Sequence, residues 1–152
     1  KEQEFEKERD ELYSELIKTK EIIFPDVKTI LETLYGKIKM GVVTDAYRRD
    51  FDVQHDLTGF KKFFDFTSVF GEGHKRLKPA PDSYLKGVEL SKHSAEQCIA
   101  IEDSEKGLKA ARAAKVDCII LRSRLTSSCS FNGALKIFNN HKELFEYLKL
   151  LF

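Results

Sequence analysis

Short apolar runs alternate with longer stretches of helical periodicity along this chain. Runs rich in β-branched residues lie at about 38–46, 67–70, 97–101 and 116–121. Between them, apolar residues recur every three or four positions, which is the spacing of an amphipathic helix. The predicted helices cover 26–35, 47–57, 60–66, 82–90, 105–115 and 141–151. This alternation of strands and helices predicts an α/β fold with a parallel sheet and right-handed crossovers.

The first twenty residues carry a separate amphipathic pattern. One helical stripe holds the apolar residues Phe5, Leu12, Tyr13, Leu16 and Ile17, and charged residues cover the other faces. A helix is therefore predicted over 1–20. A solvated helix or a coiled-coil arm is the alternative, although no heptad is sustained. Further along, Asp26 and Asp82 are the expected N-caps of the helices that follow them, and the Ser-rich segment 122–133 is an expected loop.

Composition narrows the range of partners and compartments. A chain of 152 residues with 41% hydrophobic content can form one domain with its own core. Because 26 basic residues balance 25 acidic ones, no charge bias favours nucleic acid or a membrane as a partner. The three cysteines form an odd set without Cys-x-x-Cys spacing, which favours a reduced, cytoplasmic setting. No apolar stretch approaches the ~18 residues of a membrane span.

Polar residues close two of the predicted strands and follow a third. Thr44 ends the first apolar run, and Glu102 and Asp103 end the third. Lys78 begins the segment Lys-Pro-Ala-Pro-Asp that leads into a predicted helix. Ligands of parallel α/β sheets bind at the carboxyl ends of the strands. These four residues are therefore the candidate functional site.

The motifs around these residues resemble those of haloacid-dehalogenase-superfamily hydrolases, close to the β-phosphoglucomutase-like phosphatases. They are Val-Val-Thr at 42–44, Lys-Pro-x-Pro-Asp-x-Tyr at 78–84 and Ile-Glu-Asp-Ser-x-x-Gly-x-x-Ala-Ala at 101–111. The resemblance covers roughly residues 24–116. It implies a Rossmann-like parallel sheet flanked by helices, with 24–152 as an incomplete HAD-like core and 1–23 as the remnant of a helical cap.

The same resemblance implies a phosphate clamp at the end of the first strand. Thr44 would donate its hydroxyl to a phosphoryl oxygen, assisted by the backbone N–H groups of Asp45 and Ala46 at the start of a helix. Lys78 would bring a cation to the nucleophile and to the transferring phosphate. Arg48, at the start of the next helix, could face a substrate, although an exposed helix charge is the default interpretation.

A magnesium site is implied at the end of the third strand. Asp103 would bind Mg²⁺, and Glu102 would assist directly or through a water. The alternative is that both carboxylates cap the helix from Glu105. The four histidines show no metal-ligand spacing and are expected to be solvated or to cap helices.

Two departures from the family pattern stand out. Lys115 occupies the place of the glycine that usually ends the helix after Asp103. The opening Asp-x-Asp-Gly motif, which supplies the nucleophilic aspartate on the central strand, is absent from these residues, so the chain is expected to be a fragment or to lack an N-terminal part. The strands ending at Thr44 and Ile101 would then pair directly, accept a strand from another chain, or flank a missing N-terminal strand.

The implied activity is that of a Mg²⁺-dependent phosphatase or phosphomutase in a full-length parent. Its substrate would be a small phosphorylated metabolite, and the reaction would pass through an aspartyl-phosphate. The alternative is a catalytically inactive remnant that binds a ligand or a partner. A receiver-like or flavodoxin-like domain is a more distant possibility, because it needs an acidic cluster on a first strand that the sequence does not contain. Assayed alone, the chain is expected to be inactive.

Overall fold

The computed structural model describes residues 2–19, 23–72 and 74–152. Within these ranges the helices are α1 (Glu2–Thr19), α2 (Pro25–Leu34), α3 (Arg48–Thr58), α4 (Asp82–Ser91), α5 (Glu105–Ala113) and α6 (His141–Leu151). The strands are β1 (Gly41–Tyr47), β2 (Phe66–Phe70), β3 (Ile99–Glu102), β4 (Asp117–Leu121) and β5 (Lys136–Phe138). Short 3₁₀ turns lie at Phe60–Phe63, Ala95–Gln97 and Arg124–Thr126. The predicted alternation of helices and strands is confirmed.

Every strand pairing in the described chain is parallel, but the strands form two separate sheets. One sheet pairs β1 with β2, and the other has the order β3-β4-β5. Among the described residues, β1 and β3 are not hydrogen-bonded to each other. Direct pairing of the strands that end at Thr44 and Ile101, one of the three alternatives, is therefore not found among the described residues. The strand β5 was not predicted, because its three residues are too short to show a period.

The core lies on both faces of β4, whose residues Cys118, Ile119 and Ile120 are all buried. On one face, Cys118 and Ile120 share a cluster with α4 and α5 that includes Leu108. On the other face, Ile119 packs with residues of α2 and α6. A strand that is apolar on both faces is typical of the interior of a parallel α/β sheet.

Two predicted helix caps are wrong. The carboxylate of Asp26 lies inside the first turn of α2, where Phe24 is the N-cap residue and makes no side-chain cap bond. Pro25 supplies the start instead, since its fixed φ suits the first helical position. Asp82 is likewise inside the first turn of α4 and accepts from Nε of Arg76 at 2.9 Å. Both carboxylates still lie at the positive end of their helix dipoles.

The N-terminal helix is confirmed as α1, which lies against α3 through a hydrogen bond between Gln54 and the Tyr13 hydroxyl. Its side chains Phe5 and Leu12 are exposed. The assignment of residues 1–23 to a cap remnant stays a prediction, and residues 1 and 20–22 lie outside the described residues. No described helix is both long enough and apolar enough to cross a membrane.

Replacing Lys115 by glycine is expected to raise the free energy of unfolding by about 0.5–1 kcal/mol. Lys115 has a φ of 61°, a left-handed conformation that glycine adopts without the steric cost of a Cβ. Chemical denaturation measures the change. Lys109→Gly, at an exposed position inside α5, is the control and is expected to lower stability by about 1 kcal/mol. A loss of stability in Lys115→Gly would contradict the prediction.

Candidate active site

The end of β1 bulges away from its neighbour. Val43 pairs with Ser68 and Tyr47 pairs with Phe70, so residues 44–46 lie opposite a single residue of β2. Such a bulge leaves backbone groups unpaired and re-aims side chains, and bulges are common beside active sites. The candidate clamp residue at position 44 therefore lies on backbone that the sheet does not constrain.

Asp45 and Ala46 were expected to lie at the start of a helix. This prediction is wrong, because both residues belong to β1 and α3 begins at Arg48. The Ala46 N–H donates to Oγ1 of Thr44 at 3.1 Å. That N–H is therefore already used within the bulge. The Thr44 hydroxyl, which accepts this bond, keeps its own hydrogen for another acceptor.

Lys78 joins the carboxyl ends of the two sheets. Its ammonium donates to the Val43 carbonyl oxygen at 3.2 Å and to Oε1 of Glu102 at 2.5 Å. The Lys78 and Glu102 side chains are only 13% and 9% exposed, so this ion pair is largely buried. Lys78 therefore joins the end of β1 to the end of β3, at residues that directly precede Thr44 and Asp103 in the chain. The convergence of the Thr44, Lys78 and Asp103 side chains stays a prediction.

Glu102 is held in place from several sides. Its Oε1 also accepts from the Tyr84 hydroxyl at 2.6 Å, and the Ser104 hydroxyl lies 3.4 Å from Oε2. Gly107 leaves the space that this carboxylate fills, because a Cβ there would overlap the Glu102 side chain. Tyr84 and Gly107 both belong to the quoted motifs, but sequence reasoning assigned neither of them to Glu102.

Asp103 follows β3 and is exposed. The residue that caps α5 is Ser104, whose hydroxyl accepts from the Gly107 N–H at 3.0 Å. The alternative in which Glu102 and Asp103 serve only as helix caps is therefore wrong. Asp103 directly follows Glu102, whose carboxylate binds the Lys78 ammonium.

The described residues fit a magnesium ion only in part. Mg²⁺ takes six oxygen ligands, often one or two carboxylates together with waters and phosphate oxygens. Within the described ranges, no cluster of three or more His, Cys, Asp or Glu side chains could hold a metal. Asp103 offers an open carboxylate, whereas Oε1 of Glu102 already accepts from Lys78 and Tyr84. The remaining oxygen ligands of a magnesium ion bound by Asp103 would come from outside this cluster, such as waters or phosphate oxygens.

Arg48 lies at the start of α3 but is bound to neighbouring side chains. It forms an ion pair with Glu72 at 2.8 Å and donates to the Thr67 hydroxyl at 3.2 Å. The hydrogen bond to Glu72 raises the pKa of the guanidinium above its usual value. A substrate role for Arg48 stays a prediction, and it would require this pairing with Glu72 to change.

His74 is neither solvated nor a helix cap, which corrects the expectation for this residue. Its side chain is 0% exposed, with Nε2 at 3.2 Å from Oδ1 of Asp45 and Nδ1 at 3.3 Å from the Ser68 hydroxyl. The other oxygen of Asp45 accepts the backbone N–H of Lys78 at 2.8 Å. Sequence reasoning missed this contact because His74 stands in a basic run that reads as a solvated loop.

The free energy of unfolding is expected to fall as the pH rises above about 9. Burial, followed by the charge of Glu102, raises the pKa of Tyr84, and burial raises the pKa of Cys118 to about 12. Above pH 9 the unfolded chain loses these protons and the folded chain keeps them, so stability decreases with pH. Urea denaturation from pH 8 to 11 measures the slope. Tyr84→Phe should make the slope shallower, and a slope unchanged in this variant would contradict the assignment.

Comparison with known proteins places these motifs in a family. The family model described as haloacid dehalogenase-like hydrolase matches residues 1–121. The chain belongs to the haloacid dehalogenase-like hydrolases. The phosphorylated carbohydrates phosphatase of Thermotoga maritima is 32% identical over 111 residues, which are 72% of this chain and 49% of that protein. The plasmid-encoded protein CbbY of Cupriavidus necator is 45% identical over 73 residues, covering 47% of this chain and 29% of that protein.

Solved structures agree with the fold of this chain. CbbY from Rhodobacter sphaeroides, solved in complex with phosphate, superposes with a TM-score of 0.79 and 26% identity, covering 88% of this chain and 61% of that chain. The α/β Rossmann-like HAD core is thus established. This chain spans 29% and 49% of the length of the two curated relatives named above.

Proposed function

We propose that this chain supplies the phosphate clamp and one metal ligand of a Mg²⁺-dependent phosphatase or phosphomutase. The observation that carries the proposal is the Lys78 ammonium, which bridges the ends of β1 and β3 through Val43 and Glu102, the chain neighbour of Asp103. Phosphoryl transfer depends on positioning and charge stabilisation, and this arrangement supplies both. The chain's similarity to a phosphorylated carbohydrates phosphatase supports a small phosphorylated sugar as the substrate class.

In this proposal, Thr44 and Lys78 hold the transferring phosphoryl group. The Thr44 hydroxyl donates to one phosphoryl oxygen. The ammonium of Lys78 has three hydrogens, of which two are directed at Val43 and Glu102, so the third can reach the phosphoryl group. Asp45 and Arg48 are proposed to border the substrate. Asp103, assisted by Glu102, would contribute to binding Mg²⁺, which when bound neutralises charge on the phosphoryl oxygens.

The nucleophile is proposed to enter on a strand from outside the described residues. A cavity of about 600 Å³ lies between the sheets and is lined by residues of both β1 and β3. Ile99 and Ile101 of β3 are 39% and 47% exposed, which is unusual for apolar residues in a parallel strand. We call this cavity the slot. An apolar strand bound in the slot would cover Ile99 and Ile101. Its terminal aspartate would lie beside Lys78 and form the aspartyl-phosphate.

The origin of that strand has two candidates, an N-terminal segment of a longer protein and a second chain. We favour the N-terminal segment, since Asp45 and Glu102, near the strand ends, are the charged residues of β1 and β3, and the rest of both strands carries no charge that would block pairing. A cytoplasmic setting is also proposed, because Cys98, Cys118 and Cys129 are all free thiols.

A catalytically inactive, ligand-binding domain is the second candidate function. It is favoured by the same slot, because the described residues do not provide the nucleophilic strand. Both candidates keep the phosphate clamp. They differ in whether a strand carrying aspartate restores turnover.

Titration with inorganic phosphate, followed by ¹H–¹⁵N NMR, tests the clamp. We expect saturable shifts at the amides of Thr44 and Lys78, and their loss in Thr44→Val, which removes the hydroxyl and keeps the side-chain shape. Lys86→Met is the matched control, since Lys86 pairs with Glu89 on the surface of α4. Shifts that persist unchanged in Thr44→Val, or that are absent from the original chain, would refute the clamp.

A further inference from the structure

His74 is a fully buried titratable residue that the proposed chemistry does not use. It lies between β2 and the end of β1, with the Phe70 ring 5.7 Å from its own and the Ser68 hydroxyl beside Nδ1. The charged group that it contacts is the carboxylate of Asp45, 3.2 Å from Nε2. A buried imidazole that contacts both strands is well suited to fix their relative position.

The carboxylate of Asp45 determines which nitrogen of His74 carries a proton. An ionised carboxylate only accepts hydrogen bonds, so Nε2 must donate to Oδ1. The second oxygen, Oδ2, accepts the Lys78 N–H at 2.8 Å. Each carboxylate oxygen therefore has its own donor, and one of the donors belongs to the backbone of the candidate clamp lysine.

Lys78 is thereby bound to β1 through both its backbone and its side chain. Its backbone N–H is bound by the Asp45 side chain, and its ammonium is bound by the Val43 carbonyl. Asp45 is itself 27% exposed and lies in the bulge, where the sheet does not constrain it. Without a second donor, its carboxylate could rotate toward solvent and release the Lys78 loop.

We propose that His74 is a positioning residue that acts through Asp45 to hold Lys78 in the clamp. The role in a phosphate clamp rests on the proposed function. The contacts from His74 to Asp45 and from Asp45 to Lys78 can be tested without phosphate. The imidazole fixes the carboxylate, and the carboxylate fixes the backbone from which the Lys78 side chain reaches Glu102.

Two substitutions separate this role from simple packing. In His74→Gln the side-chain amide lies near the position of Nε2 and can donate to Asp45. In His74→Asn the amide lies near the position of Nδ1, so it reaches Ser68 and not Asp45. Amide hydrogen exchange of the 152-residue chain, followed by NMR, reports on the Lys78 N–H directly. The Ile120 amide, in the central strand β4, reports on global stability.

We expect exchange at Lys78 to be about tenfold faster in His74→Asn than in the original chain, the effect of losing one hydrogen bond to a charged group. His74→Gln should restore slow exchange, with Ile120 unchanged in both variants. Equal exchange at Lys78 in both variants would overturn the proposal. If neither variant folds, the original chain decides: a protonated Nε2 in a ¹H–¹⁵N spectrum of the imidazole supports the proposal, and an unprotonated Nε2 overturns it.

Phosphate binding is measured separately in the same samples. If exchange at Lys78 follows the expected order but no sample binds phosphate, the positioning role stands and the proposed function fails. If phosphate binds equally in all variants while exchange at Lys78 does not change, the proposed function stands and the role of His74 is refuted.

Discussion

Replacing Lys78 by methionine is expected to lower the free energy of unfolding by about 3 kcal/mol and to abolish phosphate binding. Methionine keeps most of the side-chain volume but leaves the carboxylate of Glu102 without its cation. Because Glu102 is 9% exposed, solvent cannot replace the lost partner. Removing one member of a buried ion pair typically costs about 3–5 kcal/mol. Urea denaturation and the phosphate titration measure the two effects.

A double-mutant cycle distinguishes the ion pair from a packing effect. Glu102→Gln removes the charge and keeps an acceptor for the Tyr84 hydroxyl. The double variant, Glu102→Gln with Lys78→Met, should lose less free energy of unfolding than the two single variants lose together, because no unpaired charge remains. Lys86→Met, at an exposed pair, should change stability by less than about 0.5 kcal/mol. Additive losses in the cycle would contradict a direct interaction.

Filling the slot is expected to have the second large effect, on both stability and function. Unpaired N–H and C=O groups on buried strand edges cost about 1–3 kcal/mol each. A peptide of about five apolar residues followed by Asp-x-Asp-Gly should pair with β1 and β3. At one hundred times its Kd, it would raise the free energy of unfolding by about 2.7 kcal/mol.

Thermal denaturation with and without the peptide measures this stabilisation. The matched control has a proline at the central apolar position, which removes a ladder hydrogen bond and prevents pairing in the middle of a sheet. Equal stabilisation by both peptides would indicate non-specific binding. A direct hydrogen-bonded pairing of β1 with β3 in a solved structure would contradict the slot.

Much of the fold was predictable because its elements carry strong local signals. The helix over 141–151 and the strand at 116–121 were predicted within one residue of α6 and β4, since their apolar periods are clear. The bulge was not predicted: residues 44–46 lie opposite one residue of β2, and β1 continues to Tyr47 instead of ending at Thr44. Local propensity contains no information about a bulge, which depends on the neighbouring strand.

The candidate site was only partly predictable for a similar reason. Lys78 and Glu102 were both named from their motifs, but their ion pair joins residues that are 24 positions apart in the chain. The helix caps at Asp26 and Asp82 failed because prolines beside them provide the helix start. His74 was interpreted as solvated because it begins a basic segment, and the local sequence does not show that tertiary packing buries its side chain.

The most direct test of the account is Mg²⁺-dependent hydrolysis of p-nitrophenyl phosphate by the chain with and without the slot peptide. We predict no turnover by the chain alone, turnover with the Asp-x-Asp-Gly peptide, and none with a peptide carrying asparagine at both positions. Thr44→Val should also remove the restored activity. Turnover by the chain alone that is lost in Asp103→Asn, in material free of other phosphatases, would contradict the account, as would a bound aspartate peptide that restores nothing.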